Sequence, residues 1–283
     1  MVWVGPTERE RMALEFCVFA SGSSGNCYMI RRNETVLLLD CGIAGKLIRA
    51  GLQAHGADFC DISGVLLTHE HTDHVARVGM VGRQAKKAQI YGTAGTLGAI
   101  APKDLPEGRT NVIRNRETME IGGIRVTAFP VSHDAADPVA YTFSADGTKL
   151  AVLTDTGCVT EEMFGNIKDA DSLVLESNYD PGMLRTNTMY PWPLKQRISG
   201  EHGHLSNDDA GSVLSRILRE MNGRQHPDVL LGHLSSHNNL PAQAYHTVEN
   251  ELFEHRYYTG EDLKLAVAPR KERGRSPLMQ VVR

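Results

Sequence analysis

Residues 65–76 read VLLTHEHTDHVA. Val65 to Thr68 look like the apolar end of a strand, and His69, His71, Asp73 and His74 follow within six positions. Crowding three imidazoles and a carboxylate gains nothing in propensity, and desolvating them together costs free energy. Two readings are open: a solvated loop with Asp73 as a helix N-cap, or a metal site. An extended chain sends residues i and i+2 to one side, so His69 and His71 can share an ion. Asp73 and His74 come after the turn and can face a second. Zinc takes imidazole at about 2.0–2.1 Å and accepts carboxylate; manganese and iron(II) take the same donors. A lone H-x-H is usually a loop, but H-x-H-x-D-H behind an apolar strand reads as a metal site.

Composition limits the rest. The chain has 283 residues, 41% hydrophobic and 23% charged, which is ordinary globular usage. A net charge of −4 excludes a broad basic footprint for nucleic acid and leaves only local cationic stripes. The five cysteines are scattered without C-x-x-C spacing, which argues against a disulfide framework and for a reducing compartment. No apolar run approaches the roughly 18 residues of a membrane span, and the N-terminal stretch carries mixed charges where a signal peptide needs an apolar segment. A soluble cytoplasmic protein is expected.

Strand-like runs fall at 15–20, 35–40, 64–68, 126–129, 139–143, 149–155, 172–177 and 228–232, with helical patterns at 44–56, 74–87, 206–221 and 241–255. Several strands are continuous apolar runs, as when both faces of a sheet are covered. That predicts an α/β (α+β) sandwich, with sheets inside and helices outside. Asp40, His69, His133, Asp155 and His233 each sit at or just past a strand's C-terminal end, where one sheet edge can gather them. Residues 1–12 are expected to form a disordered extension, 13–270 a single domain and 271–283 a basic tail.

THEHTDH resembles the signature of the metallo-β-lactamase fold, and the rest of that pattern follows in order: LLLDCG with Asp40, FPVSHD with His133, LTDTG with Asp155 and LGHLSSHNN with His233. The resemblance implies a four-layer αββα sandwich with two divalent ions (Zn, Mn or Fe). His69, His71 and His133 would hold one ion, and Asp73, His74 and His233 the other. Asp155 would bridge both, and Asp40 would orient a ligand from behind. Only 78 positions separate Asp155 from His233, so this is the compact form without a β-CASP insertion. Two closely spaced ions supply a nucleophilic water near neutral pH, which serves β-lactams, thioesters, lactones or phosphodiesters alike.

HGHLSNDDA (202–210) opens a helix, and Ser206 with Asp209 has the form of a capping box. His204 precedes it, and Lys195 and Arg197 lie upstream. This set suits a phosphate oxyanion held by His204, Ser206, Asn207, Lys195 and Arg197; a plain cap with solvated neighbours is the other reading. SGSSGNC (21–27), LESNYD (175–180), GHLSN and HLSSHNN together with THEHTDH are similar to the YycJ/WalJ group of bacterial metallo-β-lactamase-fold proteins. That implies a 5′-to-3′ DNA exonuclease serving mismatch repair, with a gene-neighbourhood link to a cell-wall two-component system. Asp73, Asp155 and His204 are then the expected catalytic residues. The family usually carries alanine where this chain has Cys41, a thiol that either touches the metal region or packs as a small apolar group. The basic tail stays open between a DNA contact and a solvated terminus, and homo-oligomerisation is undecided. Alternative readings are a small-molecule hydrolase (cyclic phosphodiesterase or lactonase) and a non-catalytic metal-binding or sensor protein.

Overall fold

The computed structural model of the protein describes residues 14–221 and 227–270 and the backbone of 279–280. The extension expected over residues 1–12, and the tail apart from Met279–Gln280, lie outside the described residues.

In chain order the strands are β1 (Glu15–Ala20), β2 (Cys27–Arg32), β3 (Thr35–Leu39), β4 (Ile62–Leu66), β5 (Gln89–Gly92), β6 (Thr110–Val112) and β7 (Thr118–Ile121). There follow β8 (Ile124–Pro130), β9 (Val139–Ala145), β10 (Thr148–Leu153), β11 (Ser172–Glu176), β12 (Asp228–Gly232), β13 (Lys264–Val267) and β14 (Met279–Gln280). They form two sheets, ordered β14-β1-β2-β3-β4-β5-β6 and β13-β12-β11-β10-β9-β8-β7. Both sheets follow one plan. Neighbours are antiparallel from β14 to β3 and from β7 to β10, then parallel from β3 to β6 and from β10 to β13.

Alternation along the strands makes the layers, because successive side chains leave on opposite faces. Leu37 and Leu39 of β3 meet Val126, Tyr141 and Val152 in a core between the sheets. Val36 and Leu38 join Ile48 and Leu52, from the helix Gly45–Ala54, in a second core. On the far side Leu173 and Leu175 of β11 pack under Leu214 and Val248, from the helices Asn207–Glu220 and Pro241–Glu254. Helix, sheet, sheet and helix are thus stacked in four layers around three cores, which is the αββα sandwich.

The expected helix over 74–87 is two pieces, Thr72–Val75 and Val78–Gln84. The break falls where the Arg77 N–H donates to the Cys41 carbonyl (2.9 Å), which docks this segment against the turn after β3. Cys41 itself is buried among apolar neighbours, and burial pushes its thiol well above the usual range. It packs as a small apolar group and belongs to none of the potential metal-ligand groups among the described residues.

Candidate metal centre

Strand ends deliver most of the site. Asp40 follows β3, His69 lies just beyond β4, His133 beyond β8 and Asp155 beyond β10, while Glu176 ends β11 and His233 follows β12. Asp40, Asp155 and His233 have left-handed backbones (φ 60°, 59° and 53°), so the chain turns sharply as it leaves each strand. The H-x-H-x-D-H loop is clamped by its neighbours. The Asn26 N–H donates to the Asp73 carbonyl (2.8 Å), and any Cβ at Gly42 would collide with that same oxygen. Glycine at 42 is therefore demanded by close backbone approach.

Four side-chain groups meet along this edge. His69, His71 and His133 bring ligand atoms within 4.8 Å of one another, as do Asp73, His74 and His233. Asp155 belongs to two more groups, one with His69 and His74 and one with Glu176, His204 and His233. Its Oδ2 is 3.4 Å from His74 Nε2, and its Oδ1 is 3.3 Å from His233 Nε2 and 4.0 Å from His133 Nε2, so the carboxylate stands between the two sets. His69 Nε2, His233 Nε2 and Asp155 Oδ2 are buried with no hydrogen-bond partner. Leaving such atoms unsatisfied costs about 1–3 kcal/mol each, and cations bound at these groups would satisfy all three. The residues fit divalent metal.

Apart from His71, whose Nδ1 lies 3.3 Å from His133 Nε2, each imidazole is held from behind. His74 Nδ1 lies 2.7 Å from Asp40 Oδ2, and the Thr68 amide and hydroxyl both donate to the Asp40 carboxylate. The Thr68 hydroxyl also lies 3.0 Å from His69 Nδ1, which ties a second imidazole to the same anchor. His133 Nδ1 donates to the Gly203 carbonyl (3.0 Å). His233 Nδ1 and His204 Nδ1 both give their hydrogens to Glu176 Oε1, at 2.9 and 2.8 Å. Fixing Nδ1–H in this way aims the Nε2 lone pair outward, as a metal ligand needs.

The electrostatics suit a cation as well. Burial and the neighbouring imidazoles of His74 and His133 hold His69 well below the usual histidine range, so it keeps a free lone pair at neutral pH. Burial lowers His74, but Asp155 and Asp40 outweigh it and raise its pKa to about 9. Burial opposes ionisation of Glu176, yet His204 and His233 hold its pKa well below the usual carboxylate range. Carboxylates that pull this strongly on protons create the negative potential a divalent ion seeks.

A cavity of about 390 Å³ opens above these groups, lined among others by Ser23, Asp134, Leu194, Arg197, Ile198 and His204. Of the expected phosphate-binding set it contains His204 and Arg197, and Arg197 is ion-paired with Asp134. Lys195, Ser206 and Asn207 do not line it. The Lys195 ammonium donates to the Arg185 carbonyl (2.7 Å). Ser206 is the N-cap, accepting from the Asp209 N–H, so the plain-cap reading describes it. Asn207 is fully buried, its Oδ1 accepting from Ser177 and Asn239 and its backbone N–H donating to the Tyr179 carbonyl. The start of this helix is spent inside the fold.

Sequence reading missed Glu176, Thr68, Asn26 and Asp134. A signal for Glu176 was present: it is a lone acid closing the apolar run SLVLE, the strand-end position that marks the other site residues. In the sheet it stands opposite Gly232, next to His233.

The Beta-lactamase superfamily domain model matches residues 35–224. The chain is 36% identical over 256 residues to Exodeoxyribonuclease YycJ of Bacillus anthracis, covering 90% of this chain and 95% of that protein. It is 34% identical over 258 residues to Exodeoxyribonuclease WalJ of Streptococcus pneumoniae, covering 90% and 94%. Among solved structures, the metallo-beta-lactamase fold protein YhfI from Bacillus subtilis aligns with TM-score 0.68 at 15% identity, covering 95% of this chain and 99% of that one. Zn(2+)-bound PqqB from Methylobacterium extorquens aligns with TM-score 0.67 at 18% identity, covering 94% and 99%. At those identities the two structures speak for the fold alone. Family model, relatives and ligand geometry agree: the chain belongs to the metallo-β-lactamase superfamily, as a metal-dependent hydrolase of the YycJ/WalJ group.

Proposed function

We propose that the protein is a 5′-to-3′ DNA exonuclease that holds two divalent ions, one on His69, His71 and His133 and one on Asp73, His74 and His233, with Asp155 shared. The observation that carries the reading is the Asp155 carboxylate lying between two ligand groups, beneath a cavity whose wall presents His204 and Arg197. The names of the two relatives support a DNA substrate. Repair work in the cytoplasm goes with that reading.

When bound, the ions supply an acidified water and offset charge on phosphoryl oxygens. The chain's own residues do the rest. Asp40 and Thr68 fix the imidazoles of one half, and Glu176 fixes those of the other. With Nδ1 committed to Glu176, His204 turns Nε2 to the cavity, where its protonated form donates to the leaving oxygen. Arg197, steadied by Asp134, faces the substrate's phosphates.

The test is digestion of 5′-phosphorylated single- and double-stranded DNA, beside RNA and bis-p-nitrophenyl phosphate, with manganese, zinc and magnesium added in turn. Mononucleotides released from the 5′ end by wild type and not by His71→Ala are expected. Cleavage of only the small ester would overturn the nuclease reading and leave the metal chemistry standing.

A further inference from the structure

One exposed feature beside the cavity has, Arg197 apart, no part in the mechanism. The segment from Pro181 to Gly200 runs as a strap along the rim. It comprises the short helix Pro181–Thr186, a link, and the helix Trp192–Ile198. The second helix gives Leu194, Arg197 and Ile198 to the cavity wall. At its other end Trp192 is 66% exposed and Met189 72% exposed. The Tyr190 ring lies 5.8 Å from that of His237, its hydroxyl 3.3 Å from His237 Nδ1.

Aromatic residues are scarce in this chain, at 6%, with two tryptophans in all. Leaving one of them in water forgoes the burial that large rings normally provide. The strap is nevertheless well fixed. Asn187 Nδ2 donates to Asn238 Oδ1 (2.6 Å), and the His204 N–H donates to the Ile198 carbonyl (2.9 Å). The ring is thus presented on a rigid support. The charge of the strap names its occupant. Residues 181–200 carry Arg185, Lys195 and Arg197 and no aspartate or glutamate, in a chain of net charge −4. A flat ring on a segment that carries three cations and no acid of its own, with Asp134 pairing only Arg197 from outside it, suits a ligand that is both anionic and aromatic.

We propose that Trp192, flanked by Met189 and Tyr190, is a stacking platform for an unpaired nucleobase of the substrate, so that the protein takes single-stranded or frayed ends in preference to closed duplex. This rests on the nuclease reading above. Six residues of helix separate Trp192 from Ile198, roughly 9 Å of rise. That distance places the stacked base about two to three nucleotides from the cavity wall at Ile198, at roughly 3.4 Å per stacked nucleotide.

Two measurements test it. In a Trp3→Phe, His71→Ala background, Trp192 is the single tryptophan, and a single-stranded thymidine oligonucleotide should quench its fluorescence saturably. An abasic strand of equal length should bind about tenfold more weakly, since stacking on one base is worth roughly 5- to 150-fold in affinity. In active protein, Trp192→Ala should raise KM on single strands by about tenfold with kcat unchanged, and Trp192→Phe should recover most of the loss. Trp192 is exposed, so these variants should melt with wild type.

Wild type that digests DNA while Trp192→Ala keeps the wild-type KM overturns the platform and spares the nuclease. Wild type that neither digests DNA nor is quenched by it overturns both. A homodimer that Trp192→Ala dissociates also overturns the platform, because the patch would then be a subunit contact.

Discussion

Two fully buried carboxylates stand behind the imidazoles, one in each sheet, and they are wired differently. Asp40, past β3, touches one imidazole directly, that of His74, and reaches His69 only through the Thr68 hydroxyl. Glu176, at the end of β11, takes two imidazoles on one oxygen, while its other oxygen accepts the Thr156 and Leu205 amides. Both of the histidines behind which Asp40 stands are candidate metal ligands. Glu176 instead serves one ligand of the two proposed ion sites, His233, together with His204, which lines the cavity. Under the proposed function the first carboxylate supports binding of metal alone, and the second links metal binding to His204, the proposed proton donor. Loss of Asp40 should therefore be correctable by more metal, and loss of Glu176 should not.

Glu176→Gln carries the largest expected effect. It removes the charge behind both imidazoles, and it replaces one accepting oxygen with an NH2 that would face N–H donors. Turnover should fall about 10³-fold or more, combining a mis-set ligand with a mis-set proton donor. Metal analysis alongside kinetics decides the matter. If saturating manganese restores full kcat, the coupling of His204 to Glu176 is without consequence and the two carboxylates are equivalent. His204→Ala comes next: about 10²-fold or more in kcat with metal content unchanged. Full activity in that variant would remove His204 from the chemistry.

Asp40→Asn should weaken metal affinity by about 10- to 100-fold while kcat at saturating metal stays within a few-fold of wild type. The check is activity titrated against free metal. A kcat defect that persists at saturation would give Asp40 the wider role assigned to Glu176.

This contrast also explains what was legible in the sequence. Asp40 was readable because it follows TVLLL and precedes Cys41-Gly42, a strand leaving through a turn. The same cue marks Asp155 in LTDTG, and the left-handed backbones at both are its structural counterpart. His69, His71, Asp73 and His74 announce themselves by density. Glu176 carries a weaker cue, a lone acid ending the apolar run SLVLE without a turn: it is still in regular strand, and its importance depends on the β11–β12 register that sets it beside His233. Register between strands 56 positions apart is a tertiary fact, invisible to local periodicity. The same limit misplaced Lys195, Ser206 and Asn207. Their composition suited phosphate, but the helix start turned inward, where Ser177 and Asn239 take up the Asn207 carboxamide. The short helix Trp192–Ile198 went unread because seven residues with two flanking or included prolines show no apolar period.

A third carboxylate sets the scale for the other two. Asp146, in the β9–β10 turn, pairs with Arg32 of β2 through two hydrogen bonds of 2.7 and 2.8 Å, joining the two sheets at the surface. The Arg32 guanidinium holds the Asp146 carboxyl below the usual carboxylate range. A depressed folded-state pKa stabilises above the unfolded value of about 3.9, and the contribution is lost as pH falls through the folded value beneath it. Asp146→Asn keeps a side chain that tolerates the left-handed backbone there (φ 52°) and removes only the charge. Partly exposed and screened, the pair should be worth about 0.5 kcal/mol at pH 7. Urea unfolding of wild type and variant should differ by that amount at pH 7, and the two should converge in strong acid. Metal content and turnover should not change. A loss as large as that of Asp40→Asn, or a difference that grows as the pH falls, would mean that burial is not what separates the site carboxylates from this one.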